Sequence, residues 1–188
     1  MSSFFYHPLS PETWNDFAEL FGPKGACAGC WCMLWRLPRK VYDTGKGDGN
    51  RDAMRALVDG GAQPGIIGYL DGVPAAWCSV GPRPDFPGLE RSRILQAVDD
   101  QPVWSVTCLF IQKNYRRQGL SGKMIAAAAA FARQQGATTL EAYPVEPKLN
   151  KMPDVFAWTG IAAPFLKAGF REVARRSEGR PVLRLELQ

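Results

Sequence analysis

A short segment between an apolar run and an alanine-rich stretch carries the clearest chemical pattern of the sequence. Its residues, Tyr-Arg-Arg-Gln-Gly-Leu-Ser-Gly, occupy positions 115–122. Gly119 and Gly122 let the backbone turn tightly with its amide hydrogens convergent, and a helix that begins there adds the positive end of its dipole. Formal positive charge comes from three residues: Arg116, Arg117 and Lys123. The segment therefore predicts a loop that binds a diphosphate through its backbone amides.

Two well-known phosphate-binding patterns are absent. The chain contains no G-x-x-x-x-G-K-[ST] and no G-x-G-x-x-G after a strand, which argues against nucleoside-triphosphatase and dinucleotide-binding classes. Residues 116–121 instead match R-x-x-G-x-[GA], with a serine in the last small position. This pattern resembles the acetyl-CoA signature of the GNAT superfamily of N-acetyltransferases.

The residues on either side of the loop predict a strand before it and a helix after it. Residues 103–111 are mostly β-branched or aromatic, which suits a strand buried on both faces of a sheet. Apolar residues then recur near helical spacing from Leu120 to Phe131, and Gly136 can cap the end of that helix. An alternative is that the two glycines only serve a tight turn in another α/β domain, with solvated arginines.

The remaining chain predicts further elements. A strand at 4–7 precedes a helix that starts at Ser10 and Pro11, and an irregular loop is expected over 24–49. The later elements are a helix capped by Asn50, a hairpin of 65–70 and 73–80 across Asp71-Gly72, a short helix near 90–98, a strand at 138–143, a short helix with Pro164 in its first turn, and a hairpin of 170–176 and 182–187.

This element order resembles that of GNAT proteins over nearly the whole chain. The resemblance implies one domain, residues 1–188, with a mixed α/β (α+β) fold. Its central sheet is expected to be mostly antiparallel, splayed at the cofactor strand and flanked by helices. A second local match is the segment 165–170, which is similar to the family pattern Y-x-K-x-G-F but has phenylalanine first.

Composition fits one globular domain and excludes several classes. The 188 residues are 46% hydrophobic and 22% charged, which is ordinary for a globular protein. No apolar run is long enough to span a membrane, and the start of the chain lacks a secretory pattern, so we expect a cytoplasmic protein without a membrane partner. The formal charge of +5 comes from dispersed basic residues, which favours an anionic cofactor over nucleic acid.

The resemblance also implies the chemistry. Acetyl-CoA would be the co-substrate, and a small-molecule or protein amine would attack its thioester directly. Backbone groups of the strand before the loop, at Leu109, Phe110 and Ile111, would hold the carbonyl and the pantetheine amides. The loop residues expected to bind the cofactor are Arg116, Arg117, Gln118, Gly119, Leu120, Ser121, Gly122 and Lys123. Homodimers are common in the family.

The catalytic residues are less clearly marked. Many family members have a tyrosine that protonates the departing thiolate at the position of Phe165, and a phenyl ring cannot donate a proton. Tyr143 is a candidate substitute, and Glu141 is a candidate general base, although an ion-paired glutamate is the alternative. The substitution at Phe165 also leaves open an acyl-CoA-binding or sensing module that has lost efficient transfer.

Three thiols within six residues, Cys27, Cys30 and Cys32, form a second unusual feature. A zinc site would need a fourth ligand, and since no second C-x-x-C pair exists, we expect no metal; a nucleic-acid module with a cysteine knuckle would require one. A redox C-x-x-C and plain aromatic packing remain alternatives. Trp31 and Trp35 could instead face an amine substrate through cation–π attraction. Two further cysteines, Cys78 and Cys108, are expected to be inert core residues.

Overall fold

The computed structural model describes residues 2–147 and 158–188, and these residues form one seven-stranded mixed sheet. Its strands are β1 (Phe4–Pro8), β2 (Gly65–Leu70), β3 (Val73–Pro82), β4 (Trp104–Ile111), β5 (Thr139–Ala142), β6 (Arg171–Arg175) and β7 (Pro181–Glu186). Their order across the sheet is β1-β2-β3-β4-β5-β7-β6, and only the β4–β5 pair is parallel. The mixed, mostly antiparallel sheet predicted from the sequence is confirmed.

Six α-helices are formed by the described residues: α1 (Trp14–Phe21), α2 (Arg39–Thr44), α3 (Asp48–Asp59), α4 (Pro87–Glu90), α5 (Leu120–Gln134) and α6 (Ala162–Lys167). Helix α1 begins four residues later than Ser10, the predicted start. Residues 10–13 instead close a turn in which the Thr13 amide donates to the Ser10 carbonyl at 3.2 Å. The Ser10 amide donates to the Thr13 hydroxyl at 2.9 Å, so the local side-chain bond competes with the helix.

Two further helix predictions need correction. Helix α2 lies inside the segment expected to be irregular, and Asn50 lies within α3 instead of capping it. The buried Asn50 amide donates to the carbonyls of Gly29 at 3.1 Å and Tyr42 at 3.3 Å. Its side chain therefore ties the loop after α1 and the helix α2 to α3, a long-range role that sequence spacing does not reveal.

The helix expected near 90–98 is also wrong, because α4 ends at Glu90 and the following residues form turns. The Leu95 carbonyl accepts a hydrogen bond from Arg83 Nη2 at 2.9 Å. The Leu95 amide donates to the Ser92 hydroxyl at 3.3 Å. Side chains thus satisfy backbone groups that a helix would have paired internally.

Two apolar layers cover the two faces of the sheet. On one face α5 contributes Met124, Ala128 and Phe131, which pack against residues of β2, β3 and β4. On the other face α1 and α3 pack around Trp77, whose side chain is fully buried. The sheet is therefore buried on both faces near its centre, which explains why β4 is apolar on both of its sides.

Strands β4 and β5 diverge after a short parallel pairing. Residues 104–106 of β4 pair with 140–142 of β5, and the register of β4 against β3 shifts so that Thr107 has no partner. Such a bulge bends the strand and increases its local twist. The second half of β4 is thereby separated from β5, which confirms the predicted splay at this strand.

Candidate functional site

The predicted diphosphate loop connects the end of β4 to the start of α5. A 3₁₀ turn over Lys113–Tyr115 follows β4, and Gly119 takes the left-handed conformation with φ 75° just before α5. No side chain caps the first turn of α5. Because the first amides of a helix have no partner within the helix, this end presents NH groups with the positive end of a 15-residue dipole.

The two glycines of the loop face open space. A Cβ atom placed on Gly119 or Gly122 would meet no other protein atom within 4 Å. Gly119 is explained by its positive φ, but Gly122 has no such constraint and lies in the first turn of α5. Neither packing nor backbone conformation requires glycine at position 122, and its effect is to leave the helix start uncovered. This is the geometry that an anion needs to reach the amides closely.

The basic residues of the loop have different environments. Arg116 is half-buried and its Nε donates to the Ile111 carbonyl at 2.9 Å, which fastens the loop to the end of β4. Arg117 is exposed and has φ 61°, an unusual conformation for a residue with a side chain. The Lys123 ammonium lies 5.7 Å from the centroid of the Phe4 ring on β1. Two arginines therefore flank the loop, while Lys123 extends toward the sheet edge.

Three loop residues complete the predicted cofactor set. Gln118 donates from Nε2 to the Asn114 carbonyl at 3.0 Å and so braces the turn. Leu120 is buried in the core, where it anchors the first turn of α5. Ser121 is half-buried in that same turn. Gln118 and Leu120 thus hold the loop in place, while Ser121 is part of the uncapped helix start.

The open edge of β4 already has one partner. The Leu109 amide donates to the Trp158 carbonyl at 2.8 Å. Farther along the same segment, the Val145 amide donates to the Gly160 carbonyl and the Ala162 amide donates to the Val145 carbonyl, each at 2.9 Å. Residues 158–162 therefore pair with β4 on one side and with the chain after β5 on the other, and they occupy part of the splay.

Successive backbone amides along a strand point in opposite directions, so the three β4 residues predicted to hold the cofactor do not all face the same side. The Gln112 amide donates to the Ala75 carbonyl of β3 at 3.0 Å, so the Phe110 amide, two residues earlier, also points toward β3. The amides of Leu109 and Ile111 point the opposite way, toward the splay. The geometry supports Leu109 and Ile111 as cofactor-facing amides and gives no support to Phe110.

Glu141 and Tyr143 belong to a buried network on the face of the sheet away from α5. Glu141 is fully buried and accepts hydrogen bonds from Arg83 Nη1 at 3.0 Å and from Arg184 Nε at 2.7 Å. The Tyr143 hydroxyl donates to Glu141 Oε1 at 2.6 Å and lies 2.8 Å from the Ser105 hydroxyl. Burial, followed by the charge of Glu141, raises the pKa of Tyr143 well above its usual range.

This network does not favour the catalytic roles predicted for the two residues. A carboxylate held by two arginines is committed to ion pairs, which leaves it poorly suited to accept a proton from a substrate amine. The proton of Tyr143 is likewise committed to Glu141. Arg83 and Arg184 were not predicted, and the sequence holds no signal for them, since they lie 58 and 43 residues from Glu141.

Trp31 and Trp35 lie in different surroundings. Trp31 is 5% exposed and stacks on Phe21 with ring centroids 5.6 Å apart, so its ring belongs to the core under α1. Trp35 is half-buried and its ring lies 6.0 Å from that of Trp158, the residue that pairs with Leu109. Trp35 therefore remains a candidate for contact with an acceptor, whereas the geometry gives Trp31 a packing role.

Phe165 is fully buried beside the splay. Its ring meets Phe170 edge to face with centroids 5.2 Å apart. A Cβ atom on Gly160 would come within 2.7 Å of the Phe165 ring and 3.4 Å of the Leu109 side chain. The residue at position 165 thus lies against the segment that reaches β4.

All five cysteines carry free thiols. Cys27 is exposed, Cys30 and Cys32 are partly exposed, and Cys78 and Cys108 are buried. Among the described residues, no three or more Cys, His, Asp or Glu side chains are grouped to hold a metal ion. In the same part of the chain, no helix has the length and apolar character needed to cross a lipid bilayer.

Comparisons with known proteins agree with the fold described above. The model of the acetyltransferase (GNAT) family matches residues 31–152. None of the curated proteins compared with the chain matches it. Among solved structures, a GNAT-family acetyltransferase from Listeria monocytogenes shares 11% identity at a TM-score of 0.58, and the match covers 98% of this chain and 95% of that one.

Two similar structures contain coenzyme A or its acetyl form. The PaiA N-acetyltransferase from Thermoplasma acidophilum, in complex with coenzyme A, gives a TM-score of 0.53 at 10% identity over 98% of this chain and 99% of that one. YncA from Salmonella typhimurium, with its cofactor acetyl-CoA, gives 0.53 at 15% identity over 98% and 94%. At these identities the likeness shows a shared fold. Because the family model covers well over half of the residues, the chain belongs to the GNAT family of acetyltransferases.

Proposed function

We propose that this chain is an acetyl-CoA-dependent N-acetyltransferase that acts as a single domain, in the cytoplasm, on a small-molecule or protein amine. The observation that carries the proposal is the uncapped start of α5, where Gly119 and Gly122 leave the amides open beside the splayed strand. The similar structures with coenzyme A and acetyl-CoA support the same co-substrate.

The residues at the loop fit the diphosphate of that co-substrate. The amides of the first turn of α5 would hold it, and Arg116 and Arg117 would add charge. The Leu109 and Ile111 amides would face the acyl and pantetheine part along β4. Acetyl-CoA supplies an activated thioester, whose carbonyl gains most from a donor that is fixed before the reaction. The Leu109 amide can serve in this way only after it leaves the Trp158 carbonyl.

The first test is binding of coenzyme A measured by calorimetry and by the shift of the melting temperature. A ligand that binds only the folded protein stabilises it by mass action, so acetyl-CoA and CoA should raise the melting temperature. Gly122→Val should weaken binding at least ~10-fold, because its side chain would cover the first-turn amides. Ala126→Val, one turn farther along α5 on an exposed position, adds similar bulk and should leave the affinity unchanged.

A second function has one specific observation in its favour. Phe165 replaces the tyrosine implied by the resemblance, and Tyr143 holds its proton on Glu141, so the chain would suit an acyl-CoA-binding or sensing module. Release of free thiol from acetyl-CoA, measured across a panel of small amines and amine-bearing peptides, separates the two. Turnover with any amine supports the transferase, and tight binding without turnover supports the module. Absence of both binding and thiol release would contradict both functions.

A further inference from the structure

The side chain of Cys32 packs against the sheet, in the cluster that contains Trp77 and Cys108. Trp77 Nε1 donates to its sulfur at 3.2 Å. Cys108 on β4 lies in the same buried cluster as Trp77, and Cys32 packs against that cluster. These partners belong to β3 and β4, whereas Cys32 belongs to the loop between α1 and α2. The loop between α1 and α2 therefore places the Cys32 sulfur against the sheet, where the indole NH of Trp77 contacts it.

The backbone of the loop is strained where it delivers this sulfur. Trp31 has φ 42° and Cys32 has φ 62°, so two consecutive residues with side chains adopt the left-handed region. Such conformations persist when the surroundings impose them. The buried ring of Trp31 fixes the first residue in the core, and the hydrogen bond from Trp77 fixes the second.

A buried cation favours the negative form of this sulfur. The Arg36 side chain is 7% exposed, and the pair it makes with the half-exposed Asp85 is loose, at 3.7 Å. Its Nε atom is buried and has no hydrogen-bond partner among the described residues. Because a buried guanidinium needs a compensating charge, the nearby Cys32 sulfur is the natural anion.

The two neighbouring thiols are consequently unequal. The hydrogen bond from Cys108, with smaller contributions from Trp77 and Arg36, lowers the pKa of Cys32 to about 7 against the effect of burial. That same hydrogen bond, followed by burial, raises the pKa of Cys108 well above its usual range. Near neutral pH a large fraction of Cys32 is therefore thiolate beside the Cys108 thiol, and thiolate character makes a cysteine susceptible to peroxide.

We propose that Cys32 is a site of reversible oxidation by hydrogen peroxide, with Cys108 as the resolving thiol. The Cys32 thiolate attacks one peroxide oxygen, an S–O bond forms, the O–O bond breaks, and hydroxide leaves and takes a proton from solvent. The Cys108 sulfur then attacks the sulfenic sulfur, an S–S bond forms, the S–O bond breaks, and the hydroxyl leaves as water with the Cys108 proton. Two thiols lose two electrons and the peroxide is reduced to two water molecules.

The position of the pair gives the oxidation a consequence. The disulfide would join the loop that carries Trp35 to the β4 residue that precedes Leu109. This consequence rests on the proposed function, since it concerns the strand expected to hold acetyl-CoA. The oxidation itself does not, because it depends only on the two sulfurs and their neighbours.

The test is peptide mapping of the wild-type protein under non-reducing conditions after exposure to hydrogen peroxide. The expected product is a linked pair of peptides containing Cys32 and Cys108, two hydrogen atoms lighter than their sum and separated again by dithiothreitol. In Cys108→Ser, dimedone should label Cys32 as a sulfenic acid. Cys27→Ser, which changes an exposed thiol of the same loop, should form the link as the wild type does.

The rate of linking should rise about 10-fold between pH 6 and pH 8, as the thiolate fraction of Cys32 grows. The titratable or charged groups that act on this sulfur or feel its charge are Arg36, Cys30, Cys78 and Cys108. Linking of Cys32 to Cys27 or Cys30 would overturn the proposal. So would a reduced Cys32 under conditions that oxidise Cys27. If the protein is a transferase, oxidation should abolish the release of thiol from acetyl-CoA, and dithiothreitol should restore it. The peptide map tests the oxidation itself and decides it even for a protein without transferase activity.

Discussion

Glu141 shows how a single residue can look catalytic in a sequence and be structural in the fold. Its strand borders the splay, but its side chain lies on the side of the sheet where Arg83 and Arg184 enclose it. The carboxylate thus compensates two guanidinium groups that are themselves largely buried. Each arginine has a second carboxylate partner, Glu90 for Arg83 and Asp99 for Arg184, but both of these partners are about half exposed. Removing the buried charge of Glu141 therefore weakens the compensation of both guanidinium groups, which is costly in a buried setting.

We therefore predict that Glu141→Gln lowers the free energy of unfolding by about 1.5–3 kcal/mol, because the hydrogen bonds from both arginines lose their charged acceptor. Glu146→Gln is the matched control, because Glu146 also pairs with an arginine, Arg175, but on the surface. The control should change stability little, as solvent screens exposed pairs. Urea unfolding followed by circular dichroism measures both. An unchanged stability of Glu141→Gln, together with a loss of thiol release greater than ~100-fold, would instead identify Glu141 as the general base.

The residue scale also marks the limit of sequence reasoning about the site. The turn before α5 could be predicted because it depends on local backbone geometry, which neighbours in the chain determine. The binding of the cofactor by its glycines and arginines stays a prediction. The roles of Glu141, Tyr143 and Trp31 depend on partners many residues away. Cys32 is the strongest case, since Trp77 and Cys108 reach it from two different strands.

At the scale of elements, the segment 158–162 is what shapes the splay. It connects the half of β4 that does not pair with β5 to the chain after β5, through one hydrogen bond to Leu109 and two to Val145. Gly160 permits this because its φ is 83° and its Cα lies close to Phe165 and Leu109. A side chain there would be strained by the backbone and would also collide with the Phe165 ring.

We predict that Gly160→Ala destabilises the protein more than Gly136→Ala. Both glycines have a similar positive φ, of 83° and 85°, so both substitutions carry the conformational cost of about 1–2 kcal/mol. Only position 160 has a neighbour within 4 Å, the Phe165 ring among them, so the difference between the two variants reports the close packing against β4. Thermal and urea unfolding give the comparison. Equal losses in the two variants would show that the segment does not pack against the strand as described.

Elements with local signals were predictable, and those without them were not. The Asp71-Gly72 turn is confirmed, with φ of 51° and 82° at its two central residues, as a type I′ hairpin requires. Pro164 lies in the first turn of α6, as expected. Helix α2 and the failure of a helix at 90–98 escaped prediction, because Asn50 and Arg83 determine them through hydrogen bonds across the fold.

At the scale of the whole molecule, a formal charge of +5 affects how an anionic co-substrate is captured. Long-range attraction between a basic protein and a phosphate-rich ligand weakens as salt shortens the screening length, from about 14 Å near 0.05 M to about 4 Å near 0.5 M. An apolar or neutral part of the ligand does not respond in this way. The charge of the molecule and the loop at α5 should therefore act together.

We predict that the affinity for CoA falls at least ~5-fold between 0.05 M and 0.5 M sodium chloride. The affinity for pantetheine, which lacks the phosphates, should change little over the same range. Calorimetry at several salt concentrations measures both. Equal salt dependence of the two ligands would mean that the diphosphate is not bound at a charged site.

The bond between Leu109 and Trp158 has a further consequence for the free protein. Diverging strands leave a row of unsatisfied NH and C=O groups in the middle of a sheet, and such a row can recruit a strand from another molecule. By covering Leu109, the segment 158–162 blunts that interior edge. A chain whose strand is opened for a ligand thus avoids becoming a template for self-association when the ligand is scarce.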